Sequence, residues 1–346
     1  MASQPLTLVT GGTGFVGRFA VRALLAEGRP VRLLCRTPAK ARALFGESVE
    51  VCVGDLCQPA SLAAACRGVP LVLNLAGLYE FGARYRAAMW QTNVLGTENL
   101  LSACWSARVE RVVHCSTSGI LQPNGDSAVA PGFPEPPAWG CHYKRSKWES
   151  ERVALEWAGR GLPVMIASPT ALVGAEDERP TPTGRMVVDL LQGRFPCYSR
   201  TGINLIAVED VATGILAIAG KGAAGQRYVL ANRNLWLGEF LQIVAAAAQM
   251  KAPRIVLPWG FIALAGVLGE AWERVTGLGD GRLCLETVHF ARRRQFFSAA
   301  ATTAALGWVP RKSIEHAAAD AVAWARQHAA SAAVAPGARR QPQTSA

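Results

Sequence analysis

The sequence lacks three features that would point to other classes of protein: paired cysteines, a signal segment and a long uninterrupted apolar run. Its nine cysteines are scattered singly, with no Cys-x-x-Cys pair and no histidine at metal-ligand spacing. This pattern argues against a disulfide framework and predicts reduced thiols and no bound metal. The N-terminal residues show no charged segment leading into an apolar one, so we expect an unprocessed, cytoplasmic protein.

Acidic residues are few relative to basic ones. Asp and Glu total 25 against 36 Lys and Arg, a formal charge of +11, which suits anionic partners such as phosphates or an acidic membrane face. The arginines are spread along the chain, except in ARRRQFF at 291–297, and no nucleic-acid-binding module is recognisable. We therefore predict a small-molecule substrate and no nucleic-acid partner.

Short β-forming runs alternate with helical stretches through the first 170 residues. After LTLV, the runs are PVRLLCR, VEVCVGDL, LVLNLAG, RVVHCST and PVMIASP. Such alternation predicts an α/β fold with a doubly wound parallel sheet (Rossmann) over 1–170. Strand and helix patterns return near 203–231, and 171–327 is predicted to be mainly a smaller C-terminal substrate-binding lobe. The tail, 328–346, lacks large apolar residues and is predicted to be disordered.

A glycine-rich segment, LTLVTGGTGFVGR, joins the first predicted strand to the first predicted helix. Gly12, Gly14 and Gly17 satisfy G-x-G-x-x-G, and Gly11, Gly14 and Gly17 satisfy the related G-x-x-G-x-x-G. At a strand-to-helix turn, exposed backbone N–H groups and the helix dipole favour a pyrophosphate. The alternative is a tight turn without a ligand.

The choice of nicotinamide cofactor is usually made about 20 residues further on, at the end of the second strand. An acid there binds the ribose of NAD, whereas an arginine suits the 2′-phosphate of NADP. The chain offers Cys35 and Arg36, and no acid. We therefore predict NADP, with Arg36 as the phosphate ligand; NAD remains the alternative.

Two groups of residues predict acid–base chemistry on a carbonyl or alcohol. Tyr143 and Lys147 lie four residues apart, on one face of a predicted helix, where the ammonium would stabilise a phenolate. Ser116, Thr117 and Ser118 follow the strand RVVHC, at the sheet edge where ligands bind in such folds. A hydroxyl there can bind the substrate oxygen. A capped turn is the alternative.

Together these signals resemble the extended short-chain dehydrogenases/reductases (NAD-dependent epimerase/dehydratase superfamily) over about the first 310 residues. The resemblance implies Thr117, Tyr143 and Lys147 as catalytic residues, with Ser116 or Ser118 as substitutes for Thr117. It places Asp55 near the adenine and Asn93 as a structural asparagine. The complete predicted cofactor set is Gly11, Gly14, Phe15, Val16, Gly17, Arg36, Asp55, Leu56, Leu75, Ala76, Gly77, Pro169 and Thr170.

A narrower resemblance concerns the segment PTPTGRMVVDLLQGRFPCYSRTGINLIAVEDVATG, with HYKRSK and ARRRQFFS. It is similar to the hopanoid-associated sugar epimerase group and to dihydroflavonol 4-reductases, which implies a lipid-pathway context. Ser118 and Gly119 stand where sugar dehydratases carry acids, and SPTALVG lacks the arginine of nucleotide-sugar epimerases. We therefore predict a reductase or dehydrogenase. A sugar epimerase that works by transient oxidation, and a cofactor-sensing protein without turnover, are the alternatives.

One segment, LPWGFIALAGVLGEAWERV at 257–275, is unusually apolar. Glu270 interrupts it before it reaches the ~20 residues that span a bilayer. With the basic ARRR that follows, it predicts a lid over a hydrophobic substrate or a peripheral membrane contact; an ordinary core helix is the alternative. The family resemblance also implies a homodimer formed through the helices that include the Tyr/Lys segment.

Overall fold

The structure is a computed structural model that describes residues 4–80, 83–123, 134–137, 141–276, 288 and 294–333. Seven parallel strands form the central sheet: β1 (Thr7–Thr10), β2 (Val31–Cys35), β3 (Glu50–Val53), β4 (Leu71–Asn74), β5 (Arg111–Cys115), β6 (Val164–Pro169) and β10 (Arg227–Leu230). Their order is β10-β6-β5-β4-β1-β2-β3.

The helices between these strands follow the predicted alternation. In chain order they are α1 (Phe15–Ala26), α2 (Pro38–Phe45), α3 (Pro59–Cys66), α4 (Arg86–Met89), a π-helix (Trp90–Leu95), α5 (Gly96–Ser106), α6 (His142–Gly159), α7 (Pro182–Leu191) and α8 (Val208–Lys221). Short 3-10 turns cover Ala83–Tyr85 and Ser118–Ile120.

The central sheet is buried on both faces, as its side chains require. Every residue of β1 is buried, and its two apolar side chains join hydrophobic clusters on opposite faces. Val9 joins α1 and α8 on one face, whereas Leu8 joins α3, α5 and α6 on the other. The predicted doubly wound α/β fold is therefore confirmed.

The strand order determines where a ligand can bind. The chain runs outward from β1 through β2 to β3, then returns to β4 on the other side of β1. Open α/β sheets bind ligands in the crevice outside the carboxyl ends of their strands, at such a reversal. The crevice here begins after Thr10 and Asn74, the last residues of β1 and β4.

A smaller lobe follows the main sheet. Its strands are β7 (Ala171–Val173), β9 (Gly202–Ala207) and β11 (Arg233–Trp236) in one sheet, and β8 (Cys197–Ser199) with β12 (Ile255–Leu257) in another. Its helices are α7, α9 (Leu237–Ala247), α10 (Trp259–Thr276) and the C-terminal helix α12 (Ile314–Ala333). Helix α11 (Ala300–Leu306), which precedes α12, packs instead on α8 and β10 of the main lobe. The boundary predicted at residue 170 falls between β6 and β7.

Two sequence-derived boundaries differ in detail from the structure. The segment near 203–231 was predicted to return to the dinucleotide domain as a whole. In the structure α8 and β10 do so, whereas β9 joins the small sheet. The C-terminal helix α12 continues to Ala333, past residue 328 where the disordered tail was predicted to begin. Alanine, which dominates 328–333, is the best helix former. The rest of that predicted tail, 334–346, lies outside the described residues.

The turn between β1 and α1 leaves no room for a side chain at Gly17. A Cβ there would lie 2.1 Å from the carbonyl oxygen of Gly11 and 2.6 Å from the Cα of Gly12. We expect Gly17→Ala to lower the free energy of unfolding by about 1–3 kcal/mol, because backbone must move to admit the methyl group. Thermal or urea unfolding measures this loss. The control is Gly220→Ala in α8, where a Cβ meets no atom within 4 Å; equal losses in both variants would contradict the close packing described.

Candidate active site

The glycine turn after β1 brings backbone close to the end of β4. Gly11 has a left-handed φ of 69°, and a Cβ there would lie 2.6 Å from the backbone nitrogen of Ala76. The Gly14 N–H donates to the Gly11 carbonyl at 2.9 Å, and Gly14 is the N-cap of α1, with no side-chain hydrogen bond. The first N–H groups of a helix have no partner within it. This turn therefore fits a dinucleotide pyrophosphate.

Arg36 and Asp55 lie side by side at the rim of the crevice. Arg36 follows β2 and Asp55 follows β3, and their nearest side-chain N and O atoms are 3.8 Å apart. The Arg36 side chain is 73% exposed, whereas Asp55 also accepts a hydrogen bond from the Cys57 N–H at 2.9 Å. At this distance the pair is weak, so the guanidinium can accept an anionic ligand at little cost.

Tyr143 and Lys147 occupy successive turns of α6, as predicted. The Tyr143 ring packs on the Tyr79 ring, with centroids 4.0 Å apart, and the side chain is half-buried. Lys147 is buried, and its Nζ donates to the carbonyl of Cys115 at 2.6 Å. Burial lowers the pKa of the Lys147 ammonium. The pair thus offers an accessible phenol and a cation held in place by the end of β5.

Asn93 holds the first turn of α6 against the segment after β4. Its Nδ2 donates to Ser146 Oγ and to the Leu78 carbonyl, both at 2.9 Å, and its Oδ1 accepts the Leu78 N–H at 2.7 Å. Ser146 Oγ in turn donates to the Tyr143 carbonyl at 2.8 Å. These contacts are consistent with the structural role predicted for Asn93, which stays a prediction. It lies in the π-helix, a distortion that is frequent at functional sites.

A buried chain of hydrogen bonds connects the crevice floor to α6. The Ala76 N–H donates to Thr10 Oγ1 at 3.3 Å, and this hydroxyl donates to Asn74 Oδ1 at 2.8 Å. Asn74 Nδ2 then donates to His114 Nδ1 at 3.0 Å, which leaves Nε2 of His114 to donate to Ser150 Oγ at 2.9 Å. Burial, aided by nearby Lys147, holds the pKa of His114 well below its usual value. The ring is therefore neutral. Sequence reasoning missed this chain.

The three consecutive hydroxyls after β5 have different partners. Ser116 Oγ donates to the buried Glu151, whose Oε1 also accepts Arg227 Nε at 2.7 Å. The Ser116 hydroxyl is therefore engaged within the protein. Thr117 is half-buried and accepts the Gly119 N–H at 3.1 Å, so its hydroxyl proton can still be donated. The same hydrogen bond caps the 3-10 turn that follows, so the contact also fits the alternative of a capped turn.

The other predicted residues lie around the same crevice or at its border. Ser118 is buried at the start of a 3-10 turn. Pro169 ends β6, and Thr170 Oγ1 donates to Asn204 Oδ1 at 2.8 Å, which joins this loop to the small lobe. The remaining members are Phe15 and Val16 in the first turn of α1, Leu56 after β3, and Leu75 and Gly77 after β4.

A group of ion pairs that sequence reasoning missed fastens the small lobe to the cofactor side. Arg18 of α1 is 3% exposed and pairs with Glu176 at 3.0 Å and with Glu178 at 2.8 Å. Arg22 also pairs with Glu176, and Lys40 with Glu178, both at 2.6 Å. Glu176 has a φ of 67°, which is unusual for a residue with a side chain. The acidic EDER turn was the signal available in the sequence.

A dinucleotide crevice beside a Tyr/Lys helix is typical of nicotinamide-dependent oxidoreductases with the Rossmann fold. The sequence pattern of the NAD dependent epimerase/dehydratase family matches residues 7–231, and the chain belongs to this family.

Relatives and solved structures agree with this assignment. The chain is 33% identical over 330 residues to a putative dihydroflavonol 4-reductase of Synechocystis, covering 92% of this chain and 94% of the relative. It is 32% identical over 328 residues to sterol demethylase protein B of Methylococcus capsulatus, covering 93% and 98%. The crystal structure of gox2253 superposes with a TM-score of 0.80 at 34% identity, covering 94% and 99%.

These findings confirm three of the predictions made from the sequence. The protein is an NAD(P)-dependent oxidoreductase of the extended short-chain dehydrogenase/reductase type, with dihydroflavonol-reductase-like relatives. The preference for NADP, the roles of individual site residues and the hopanoid context stay predictions. Within the described residues, no group of three or more His, Cys, Asp or Glu side chains could hold a metal ion.

The neutral His114 gives the fold a specific pH dependence. Its pKa is lower in the folded state than the ordinary value of about 6.5, so the unfolded chain binds the extra proton first. The neutral ring therefore contributes its full stabilisation above about pH 6.5. As the pH falls below that value, the free energy of unfolding decreases by up to ~1.4 kcal/mol per pH unit. We expect His114→Leu to be less stable at pH 8 than wild type, since Asn74 and Ser150 lose a partner, and to lack this slope.

Urea unfolding at several pH values between 4 and 8 measures both effects. Ser150→Ala is the matched control, because it breaks the same chain of hydrogen bonds but keeps the titrating ring. It should be destabilised yet retain the wild-type slope. A wild-type slope in His114→Leu would show that His114 is not the group responsible.

Proposed function

We propose that the protein is an NADP-dependent reductase or dehydrogenase that acts on a carbonyl or secondary alcohol of a hydrophobic substrate, in the context of the hopanoid pathway. The observation that carries the proposal is the half-buried Tyr143 phenol one helical turn from the buried Lys147 ammonium, at the carboxyl edge of the sheet. This arrangement supplies the proton, the positive charge and the access that carbonyl reduction needs.

Each residue has a separate task in this proposal. Tyr143 gives a proton to the substrate oxygen during reduction and removes it during oxidation. Lys147 keeps its charge near the phenol, which favours the phenolate form, and it positions the cofactor ribose. The Thr117 hydroxyl donates to the substrate oxygen and orients it. The bound nicotinamide supplies or accepts the hydride.

The residues that line the crevice are proposed to bind different parts of the cofactor. The glycine turn receives the pyrophosphate, because a Cβ at Gly11 or Gly17 would fill the close backbone approach found there. Arg36 receives the 2′-phosphate, and Asp55 lies toward the adenine. Pro169 and Thr170 border the nicotinamide.

The substrate class rests on two observations. The chain matches sterol demethylase protein B along nearly the full length of both proteins, which favours a lipid-like substrate. The loop SPTALVG lacks an arginine for a nucleotide sugar. The proposal includes a cytoplasmic location, peripheral contact with a membrane, and a homodimer. A sugar epimerase with bound cofactor remains the competing function.

The cofactor assignment predicts a selective loss in Arg36→Ala. Removing a charge-assisted hydrogen bond of about 1.5–3 kcal/mol should weaken NADPH binding roughly 10- to 100-fold and leave NADH binding unchanged. Titration followed by nicotinamide fluorescence measures both constants. Arg42→Ala is the charge-matched control, since Arg42 is an exposed arginine of α2. Equal or stronger binding of NADH by wild type would refute the NADP assignment.

The catalytic assignment predicts that Tyr143→Phe binds cofactor but does not turn over. We expect NADPH affinity within about threefold of wild type and a loss of about 10²–10⁴ in the rate of NADPH oxidation, the usual contribution of a general acid. The assay follows NADPH absorbance with a panel of steroid and terpenoid ketones. Tyr198→Phe in β8 removes a phenol from the small lobe as the control. If no ketone consumes NADPH while cofactor co-purifies with the protein, the epimerase is favoured instead.

A further inference from the structure

The small lobe exposes a large set of apolar side chains that the proposed chemistry does not use. Among the described residues, eight of the fourteen exposed large hydrophobic side chains fall between positions 255 and 272. They are Ile255, Val256, Trp259, Phe261, Leu264, Val267, Leu268 and Trp272. These eight residues are called the apolar face below. Large exposed apolar patches on soluble proteins mark interaction sites.

The geometry of α10 explains how so many apolar residues are exposed together. Phe261, Leu264, Leu268 and Trp272 are spaced by three, four and four residues, so they share one face of the helix. A surface helix normally turns such a stripe toward the core. Here Phe261 is 66% exposed and Trp272 is 63% exposed, whereas Gly266 is buried. The helix therefore presents its apolar stripe outward.

Positive charge surrounds the start of this helix. The chain has no Asp or Glu between Glu239 and Glu270. Lys251 and Arg254 are exposed just before β12, and Arg200 directly follows Ser199, the register partner of Leu257 in β12. Among the described residues, none of these three cations forms an ion pair. The apolar face is thus flanked by cations that have no acidic partner.

We propose that the apolar face, together with Arg200, Lys251 and Arg254, is a docking surface for an anionic lipid membrane. Helix α10 lies flat in the headgroup region, with its aromatic and aliphatic side chains inserted and the cations against lipid phosphates. A length of 18 residues, about 27 Å, gives a long line of contact. None of the described helices has the length and apolarity needed to cross a bilayer.

Charge favours this occupant over a second copy of the chain. A second copy of the chain would bring the same exposed cations and a further formal charge of +11, which opposes self-association. An anionic surface neutralises them instead, and the net charge of +11 attracts the whole protein to it. The inference rests on the proposed peripheral location and is independent of the hydride chemistry.

Co-sedimentation of the full-length protein with liposomes tests the docking surface. We expect binding to vesicles of phosphatidylcholine mixed with phosphatidylglycerol, and at least about tenfold weaker binding to phosphatidylcholine alone. Phe261→Ser/Leu268→Ser should reduce binding to the mixed vesicles about tenfold or more. Lys251→Gln/Arg254→Gln should remove most of the dependence on phosphatidylglycerol. Val309→Ser, which alters an exposed apolar residue elsewhere, is the control and should bind as wild type does.

Two further measurements separate the outcomes. NADPH titration of each variant checks the crevice, so a loss of lipid binding with unchanged NADPH affinity supports the proposal even if no substrate is ever found. Sedimentation velocity without lipid detects self-association. Failure of wild type to bind either vesicle, or a dimer that Phe261→Ser/Leu268→Ser dissociates, would overturn it. Equal binding of wild type to both kinds of vesicle would overturn the claim that the surface prefers anionic lipid.

Discussion

The candidate site depends on one buried contact, between the ammonium of Lys147 and the carbonyl oxygen of Cys115 at 2.6 Å. A buried ammonium is costly unless it is hydrogen-bonded, and Lys147 is only 5% exposed. The contact therefore requires that the end of β5 and the second turn of α6 stay in one register. A slip by one residue would remove the carbonyl from the lysine and move the Tyr143 phenol away from the crevice.

The neighbouring contacts maintain that register. Residues 114 and 116, on either side of Cys115, donate to Ser150 and Glu151 of the same helix. Glu151 is fully buried, and it pairs with Arg227 of β10, which lies two strands from β5 in the sheet. Three consecutive residues of one strand end thus fix one face of α6. Breaking any buried member leaves an unsatisfied polar group, so these contacts stabilise the fold and the site together.

The fold and the outline of the site were predictable because their signals are local. Alternating runs gave the parallel sheet, the glycines lie within one turn, and Tyr143 and Lys147 are neighbours on one helix. The polar network was not predictable, since it joins residues far apart in sequence: Thr10 meets Asn74, and Asn74 meets His114. Within the apolar strand patterns, these residues carried no periodic signal that separated them from ordinary strand residues.

Long-range pairing also explains why the hydroxyls after β5 were left unresolved by sequence. Ser116, Thr117 and Ser118 are chemically alike, and only the position of Glu151, 35 residues away, engages the first of them. The same holds for Arg18, whose partners Glu176 and Glu178 come from the other lobe, 158 and 160 residues away. In both cases a carboxylate from a distant segment engages the side chain, and a local sequence pattern does not show that contact.

The two ends of the small lobe differ in whether their charged side chains are paired. Near the crevice, Glu176 and Glu178 each engage two cations, so four ion pairs must break together to separate the segment after β7 from α1 and α2. Such a network holds better than isolated surface pairs, which contribute little. Beside α10, Arg200, Lys251 and Arg254 form no ion pair among the described residues, and the apolar residues of the helix face outward. The lobe thus pairs its charges internally near the crevice and leaves apolar side chains and cations exposed at α10, and the proposed membrane docking depends on that contrast.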